Sequence, residues 1–404
     1  MNLQELLRQL AESIVNEIMD AEADQMCGEG NSRNGYRERK LLTCVGTLTL
    51  RVPKLRQGSF FPEDVLTRYQ RVDRALVAAV AEMYATGTST RKVQKIAQKM
   101  GIDRLSRDQV SAMAKDLDAD VEELLARDLG SARMPYLWLD ATYVKCRREG
   151  RVASTAVVTA IGADEHGWRH VLGISVVDTE SYDSWLAFLK EIGARGMEGV
   201  QLVTSDAHEG LRRAIREVFQ GAAWQRCVMH LMRDCAREAS SQALRKRVTR
   251  IVAPVFRAKD PNQVRAMYHL ACEMLEGCCP KAARVLEEAE PDALAYLDFP
   301  KSHWKRLRTN NVQERTNREI KRRSRVVQVF PSVESLTRLV GAVMCEQDDE
   351  WSESRYFSEK KISELYEEIP KTAPLTKEEE EELMLVSEQA IRASLELADR
   401  MEAA

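Results

Sequence analysis

The sequence predicts an α/β protein: a mixed sheet with helices on its faces, interrupted by an all-helical block and preceded by a mainly helical region. Three observations carry this. Apolar residues recur with strand-like periods between residues 136 and 226, with two helical patterns set among them. Three helices, two of them opened by a serine, fill residues 73–130. Roughly seventy residues after His230 show helical spacing with no strand.

Taken in order, Leu3, Leu6, Leu7, Leu10, Ile14, Ile18 and Met19 form a helical stripe, marginal alone and expected to pack on another segment or another copy of itself. The period then changes to two. Leu48, Leu50 and Val52 alternate with Thr47, Thr49 and Arg51, and with "KLLTCV" before Gly46 they predict a short basic hairpin. "VDRALVAAVAEMYATG" closes at Gly87. "STRKVQKIAQKMG" opens on Ser89, and "SRDQVSAMAKDLDADVEELLARDLG" opens on Ser106 and runs to Gly130. These three helices suit either a helix-turn-helix module or a plain three-helix bundle.

After "SARMP", the segment from Tyr136 to Glu180 predicts three strands joined by the turns "REG" and "ADEHG". A helix "SYDSWLAFLKEIGARG", a strand "GVQLVTSD", a helix "EGLRRAIREVF" and a strand "AAWQRCV" follow. The order β-β-β-α-β-α-β defines a mixed sheet flanked by helices. A basic helix from Asn311 and a further helix "SVESLTRLVGAVMCEQDDEW" come after the helical block.

Composition excludes several classes. No run of about 18 apolar residues is present, so no membrane span is expected. The N-terminus lacks the basic start and apolar centre of a secretory signal. Nine irregularly spaced cysteines point to a reducing cytoplasm rather than a disulfide framework. The net charge of −3 hides an asymmetry: residues 364–404 hold twelve acids against four bases, leaving the remainder of the chain at +5. Two stretches are strongly basic. Arg33–Arg56 has seven Lys/Arg and one acid, and Trp304–Val326 has nine and two. Such patterning predicts a basic working surface for a polyanion and an acidic tail.

Three carboxylates stand out. Asp140 interrupts an apolar strand, where burial without a partner is costly; its bland alternative is a strand residue facing solvent. Asp206 ends the strand "GVQLVTSD", where sheet enzymes place functional groups, or else caps the next helix. Glu314 opens the basic helix and also fits a capping box with Asn311 and an ion pair with Arg318. If the two strands are neighbours and the helix crosses them, the carboxylates converge. Three hard oxygen ligands without histidine suit two Mg²⁺ or Mn²⁺ ions rather than zinc. Cys227 and His230 are spaced like half a zinc site, with no second pair nearby to complete it, and burial of both is expected. Trp304 lies close to Glu314 in sequence, as a base-stacking residue or a core tryptophan.

The strand order, Asp140, "SDAHEGL" with Asp206, "WQRCVMH" with Cys227 and His230, "NNVQERTNREIKRR" and "VVQVFPSVESLTRLVGAVMCEQDDEW" together resemble the mutator-type DDE transposases of bacterial insertion sequences. The resemblance covers about residues 30–355. It implies a ribonuclease H-like core, with the family's two aspartates on Asp140 and Asp206 and its glutamate on Glu314. Cys227 and His230 are then a structural family signature. The implied organisation is a helix and basic hairpin (1–65), a helical DNA-binding region (66–130), the core (131–231 and 301–355) around a helical insertion (232–300), and an acidic tail (356–404). The expected activity is Mg²⁺- or Mn²⁺-dependent cleavage of element ends and strand transfer. The expected partners are double-stranded DNA (terminal inverted repeats and target) and a second copy of the chain, in a bacterial cytoplasm with no membrane contact. Candidate DNA contacts are Arg37, Arg39, Lys40, Arg51, Lys54, Arg56, Arg91, Lys92, Trp304, Arg315, Arg318, Lys321, Arg322 and Arg325. A nuclease without strand transfer and a non-catalytic DNA-binding regulator are the competing classes.

Overall fold

The N-terminal apolar stripe folds as a 24-residue helix, α1 (Leu3–Met26), in a computed structural model that describes residues 3–27, 32–56, 60, 74–100, 102, 105–367 and 375–403. A hairpin follows, β1 (Arg33–Thr43) paired antiparallel with β2 (Gly46–Leu55). The expected alternation holds: Leu48, Leu50 and Val52 are buried beneath Met19 and Ala23 of α1, while Arg51 is exposed. α1 also covers the outer edge of β2. Glu12 accepts the Thr49 N–H (2.9 Å) and Asn16 the Arg51 N–H (2.7 Å), which closes an edge otherwise open to another strand.

Next come α2 (Arg74–Ala85), α3 (Thr90–Lys99), α4 (Arg107–Met113) and α5 (Leu117–Ala126), packed in part around Leu76, Val80, Val93, Ala97, Ile102 and Val110. Ser89 and Ser106 cap α3 and α4, the latter in a reciprocal capping box with Gln109. The expected helix ends at Gly87 and Gly130 are shorter here, at Ala85 and Ala126, and Gly101 lies outside the described residues. The last helix is also broken by a 3₁₀ turn at Ala114–Asp116. Its two halves face different neighbours. Val110 and Met113 pack with α2 and α3, whereas Val121 meets Gly341, where a Cβ would come within 2.4 Å of it.

The expected β-β-β-α-β-α-β order is present as β3 (Tyr136–Arg148), β4 (Arg151–Ala163), β5 (Arg169–Val177), α6 (Tyr182–Ala194), β6 (Leu202–Ser205), α7 (Glu209–Val218) and β7 (Ala223–Arg226). They form one five-stranded mixed sheet in the order β5-β4-β3-β6-β7. β3, β4 and β5 are antiparallel neighbours; β6 runs parallel to β3, and β7 to β6. The "REG" turn places Glu149 and Gly150 at φ of 46° and 78°, a left-handed conformation that glycine adopts freely. The remaining helices are α8 (Val228–Arg237), α9 (Gln242–Val252), α10 (Pro261–Glu276), α11 (Pro280–Glu288), α12 (Glu290–Ala293), α13 (Trp304–Leu307), α14 (Asn311–Val327), α15 (Val333–Ser352), α16 (Glu359–Ser363) and α17 (Lys377–Ala403). The described part of the acidic tail is thus largely one helix. α17 rests on α9 and α10, with Ile391 buried and Ser394 donating to the Arg250 carbonyl.

The chain divides into two compact units. The N-terminal unit runs to Glu123 and includes Ile320–Gln328 and Arg338–Val343; the second unit is the rest. Within the first, Arg338 grips Asp118 with two 2.7 Å bonds, and the buried Arg323 donates to the Ala85 carbonyl at the end of α2. Within the second, alternate side chains of β3 serve opposite faces of the sheet. Leu137 and Leu139 join Val158, Leu172 and Val203 in a core with Trp185, Phe188, Leu211 and Ile215 of α6 and α7. Tyr136, Trp138 and Asp140 point to the other face. There Tyr136 bonds His303 (2.7 Å) and Trp138 donates to the Arg306 carbonyl.

Candidate active site

The register of β3 and β6 pairs Trp138 with Thr204. Carried two residues further, it brings Asp140 level with Asp206, one residue past the end of β6, on strands about 5 Å apart. Asp140 does not face solvent. It is 8% exposed, and Asn317 donates to its Oδ2 at 2.7 Å. Burial pushes its carboxyl up to about 7, with Asp206, Glu180 and Glu314 adding to the rise and the Ala141 N–H opposing it. The sheet and α14 therefore bring the three predicted carboxylates into one electrostatic neighbourhood. Glu180, just ahead of α6, is a fourth acid that sequence reading missed.

α14 is held to the sheet by a row of neutral amides. Asn310 donates to the Leu139 carbonyl (2.9 Å), and Gln313 donates to the Trp138 carbonyl (2.7 Å). Gln313 also accepts from the Thr159 hydroxyl (2.8 Å), and Asn317 reaches Asp140. Residues spaced by three and four share one face of a helix. That face explains why "NNVQERTN" carries so many uncharged polar residues, and it fixes Glu314 beside Gln313 at the edge of the seam. Attention to its charges alone passes over this signal.

The alternatives for two carboxylates differ from the structure. Asp206 is not the cap of α7. His208 takes that place, its Nδ1 accepting the Leu211 N–H at 3.4 Å, while Asp206 accepts the His208 N–H at 3.3 Å. Asn311 is already helical, so it cannot cap α14, and the Glu314 N–H goes to the Asn310 carbonyl. The Glu314 carboxylate pairs with Arg233 of α8 at 2.7 Å, across to another helix rather than along its own to Arg318. Gly210 in "SDAHEGL" has a clear cause. A Cβ there would stand 2.7 Å from the Tyr182 nitrogen, so α7 begins against the start of α6 only without a side chain.

Cys227 is fully buried ahead of α8, where its Sγ accepts the Asn310 N–H at 3.3 Å and burial pushes the thiol up to about 11. His230, half-buried, lies near Asp206 and Glu314; burial lowers its basicity, and its buried Nδ1 has no hydrogen-bond partner. Cys227 thus ties the start of α8 to Asn310, just ahead of α14. Trp304 is a core residue: 5% exposed, edge-on to Tyr296, its indole N–H donated to the Phe299 carbonyl at 2.8 Å. Of the basic candidates, Arg37, Lys40, Arg51, Lys54, Arg56, Arg91, Lys92, Arg315, Arg318, Lys321, Arg322 and Arg325 are exposed, and Arg39 is half-buried. Arg51 lies over the Tyr36 ring at 4.4 Å.

The donor chemistry fits a hard divalent cation. Several carboxylates raise the protonation of a buried aspartate whose hydrogen-bonded side-chain neighbour is an uncharged amide. The ligands are not gathered, however. Among the described residues no three His, Cys, Asp or Glu side chains are placed to share an ion, and Glu314 is turned to Arg233.

The sequence profile described as "Transposase, Mutator family" matches residues 1–354. The transposase for insertion sequence element IS1081 of Mycobacterium tuberculosis is 41% identical over 362 residues, 87% of each chain. The transposase for IS406 of Burkholderia multivorans is 40% identical over 80% of this chain and 83% of that one. For IS256 in transposon Tn4001 of Staphylococcus aureus, the transposase is 37% identical, covering 86% and 89%. Among solved structures, a chain of the Drosophila P element transposase strand transfer complex covers 74% of this chain and 81% of that one, at 12% identity and a TM-score of 0.28, a likeness too slight to build on. No helix among the described residues is long and apolar enough to cross a membrane. With a family profile spanning most of its length and relatives at 37–41% identity, the chain belongs to the Mutator family of transposases.

Proposed function

We propose that this transposase binds the terminal inverted repeats of its element and uses Asp140, Asp206 and Glu314 to cleave a phosphodiester and join the exposed 3′ end to target DNA. The observation that carries the proposal is the crowding of negative charge around a buried Asp140 at the end of β6. Such an arrangement costs stability and gains a purpose when a cation and a phosphate occupy it. The sheet order, three antiparallel strands followed by two parallel ones, supports a ribonuclease H-like core, with the helices between β7 and α14 as its insertion.

In this reading Asp140 and Asp206 hold their carboxylates side by side on adjoining strands. Glu314 joins them once Arg233 gives it up. Two Mg²⁺ or Mn²⁺ ions, when bound, would activate the attacking hydroxyl or water and steady the leaving oxygen. Asn317 keeps Asp140 oriented, and the amide row holds α14 while the reaction proceeds. Exposed arginines and lysines on the hairpin, on α3 and along α14 supply contacts to DNA phosphates, which position a duplex without reading its bases. The protein works in the bacterial cytoplasm as at least a dimer.

The test incubates purified protein with labelled repeat-end DNA and Mg²⁺. Joined product supports transposition, hydrolysis alone a nuclease, and binding alone a regulator. Asp140→Ala, Asp206→Ala and Glu314→Gln each abolish cleavage while end binding persists; cleavage retained by any of the three removes that residue from the active site.

A further inference from the structure

α1 has two apolar faces, and the hairpin uses only one. Ala11, Val15, Met19 and Ala23 pack on the β1–β2 core. Beside them runs a second stripe with side chains in solvent: Leu3 (71% exposed), Leu6 (46%), Leu7 (43%), Leu10 (54%), Ile14 (47%) and Ile18 (43%). At 100° per residue these six fall within an arc of about 120°. Six large aliphatic side chains in one continuous row exceed the scattered apolar exposure normal for a monomer surface.

We propose that a second copy of this chain covers the stripe, the two α1 helices lying antiparallel about a two-fold axis near Leu10. Leu3 then lies opposite Ile18 of the other copy, and Leu7 opposite its Ile14. The spacing is self-complementary, as a two-fold interface requires. Charge selects the direction. Glu17 lies inside the stripe, and in a parallel pair it would face its own image. In the antiparallel pair it meets the first turn of the other helix, where the positive end of the dipole favours a carboxylate and the acid already there, Glu5, is paired with Arg8. Asp24, at the edge of the stripe, is already paired with Arg33. The two copies together bury on the order of 1,000 Å², the lower limit for a specific interface, so the association is concentration-dependent. It holds whatever the carboxylates of the second unit do.

The experiment is sedimentation of the full-length protein from about 1 to 100 μM, concentrations that span micromolar affinity. The wild type passes from monomer to dimer. The triple variant Leu7→Asp/Leu10→Asp/Ile14→Asp stays monomeric throughout, with an unchanged circular dichroism spectrum. A wild type that is monomeric at the highest concentration, or a variant that still dimerises, overturns the proposal. A variant that loses helical signal also overturns it, because the stripe then belongs to the protein's own fold. Direction is read by oxidative cross-linking. Leu10→Cys links to its own copy. Leu3→Cys does not, since the two positions stand about 20 Å apart along the axis, but it links to Ile18→Cys in a mixture. Efficient self-linking of Leu3→Cys indicates a parallel pair and overturns the antiparallel assignment.

Discussion

Replacing Asp140 with asparagine is expected to inactivate the protein and to stabilise it. The carboxyl is raised from 3.8 to about 7, first by burial and then by Asp206. A group whose folded pKa lies above its unfolded value binds its proton more tightly in the native state, so stability falls as pH rises between the two values. At about 1.4 kcal/mol per unit, the penalty grows from under 1 kcal/mol near pH 4 to about 4 kcal/mol above pH 7. Because Asp140 is only 8% exposed, solvent screening removes little of this. The uncharged amide escapes the penalty and keeps the shape of the side chain. It also offers an N–H to the Asn317 Oδ1, a buried oxygen that accepts no hydrogen bond. At 2–4 °C per kcal/mol, Asp140→Asn should melt on the order of 10 °C above the wild type at pH 7.5. The difference should shrink steadily toward pH 4. Calorimetry in EDTA, which keeps divalent cations out of the site, measures it. A variant no more stable than the wild type at pH 7.5, or an advantage that does not change with pH, refutes the argument that Asp140 is ionised there against its surroundings.

Other substitutions separate the seam, the packing and the ion pair. Gln313→Leu leaves the Thr159 hydroxyl only a 3.4 Å bond to the Asp140 carbonyl and removes a tie to the Trp138 carbonyl; a loss of about 1–3 kcal/mol is expected in thermal or denaturant unfolding. Gly210→Ala forces a Cβ against the Tyr182 nitrogen and should cost about 1–3 kcal/mol, seen as a lower midpoint with unchanged secondary structure. Trp304→Ala empties a core site and should cost about 3–5 kcal/mol; a variant of wild-type stability with weakened DNA binding would restore a surface role for this side chain. Arg233→Ala breaks a half-exposed ion pair and should change stability by less than about 1 kcal/mol. By freeing Glu314 it should also lower the Mg²⁺ concentration that half-saturates cleavage, and an unchanged requirement would show that the pair does not compete with the metal.

The sequence disclosed what depends on period and punctuation. The strands from Tyr136 to Val177, the serine caps at 89 and 106 and the hairpin alternation all follow from local pattern, and all are present. What stayed hidden depends on partners distant in the chain. His208 rather than Asp206 caps α7 because a strand end and a helix start compete for the same few residues. By sequence Glu314 could pair locally with Arg318 or at a distance with Arg233, and only the fold chooses the latter. Trp304 illustrates the same limit, since a tryptophan beside basic residues has the same spelling whether it meets a base or Tyr296.

The row formed by Asn310, Gln313 and Asn317 has a consequence for the field inside the site. Fasteners made of lysine or arginine would have held the helix as firmly, but each would have brought a counter-ion into the acidic pocket. Amides grip without charge. They bring no counter-charge from that side, and the ties of Asn310 and Gln313, made to backbone carbonyls, do not titrate. The start of α14 is thus fixed without a counter-ion beside Asp140, so the negative charge gathered there stays available to a cation arriving from outside.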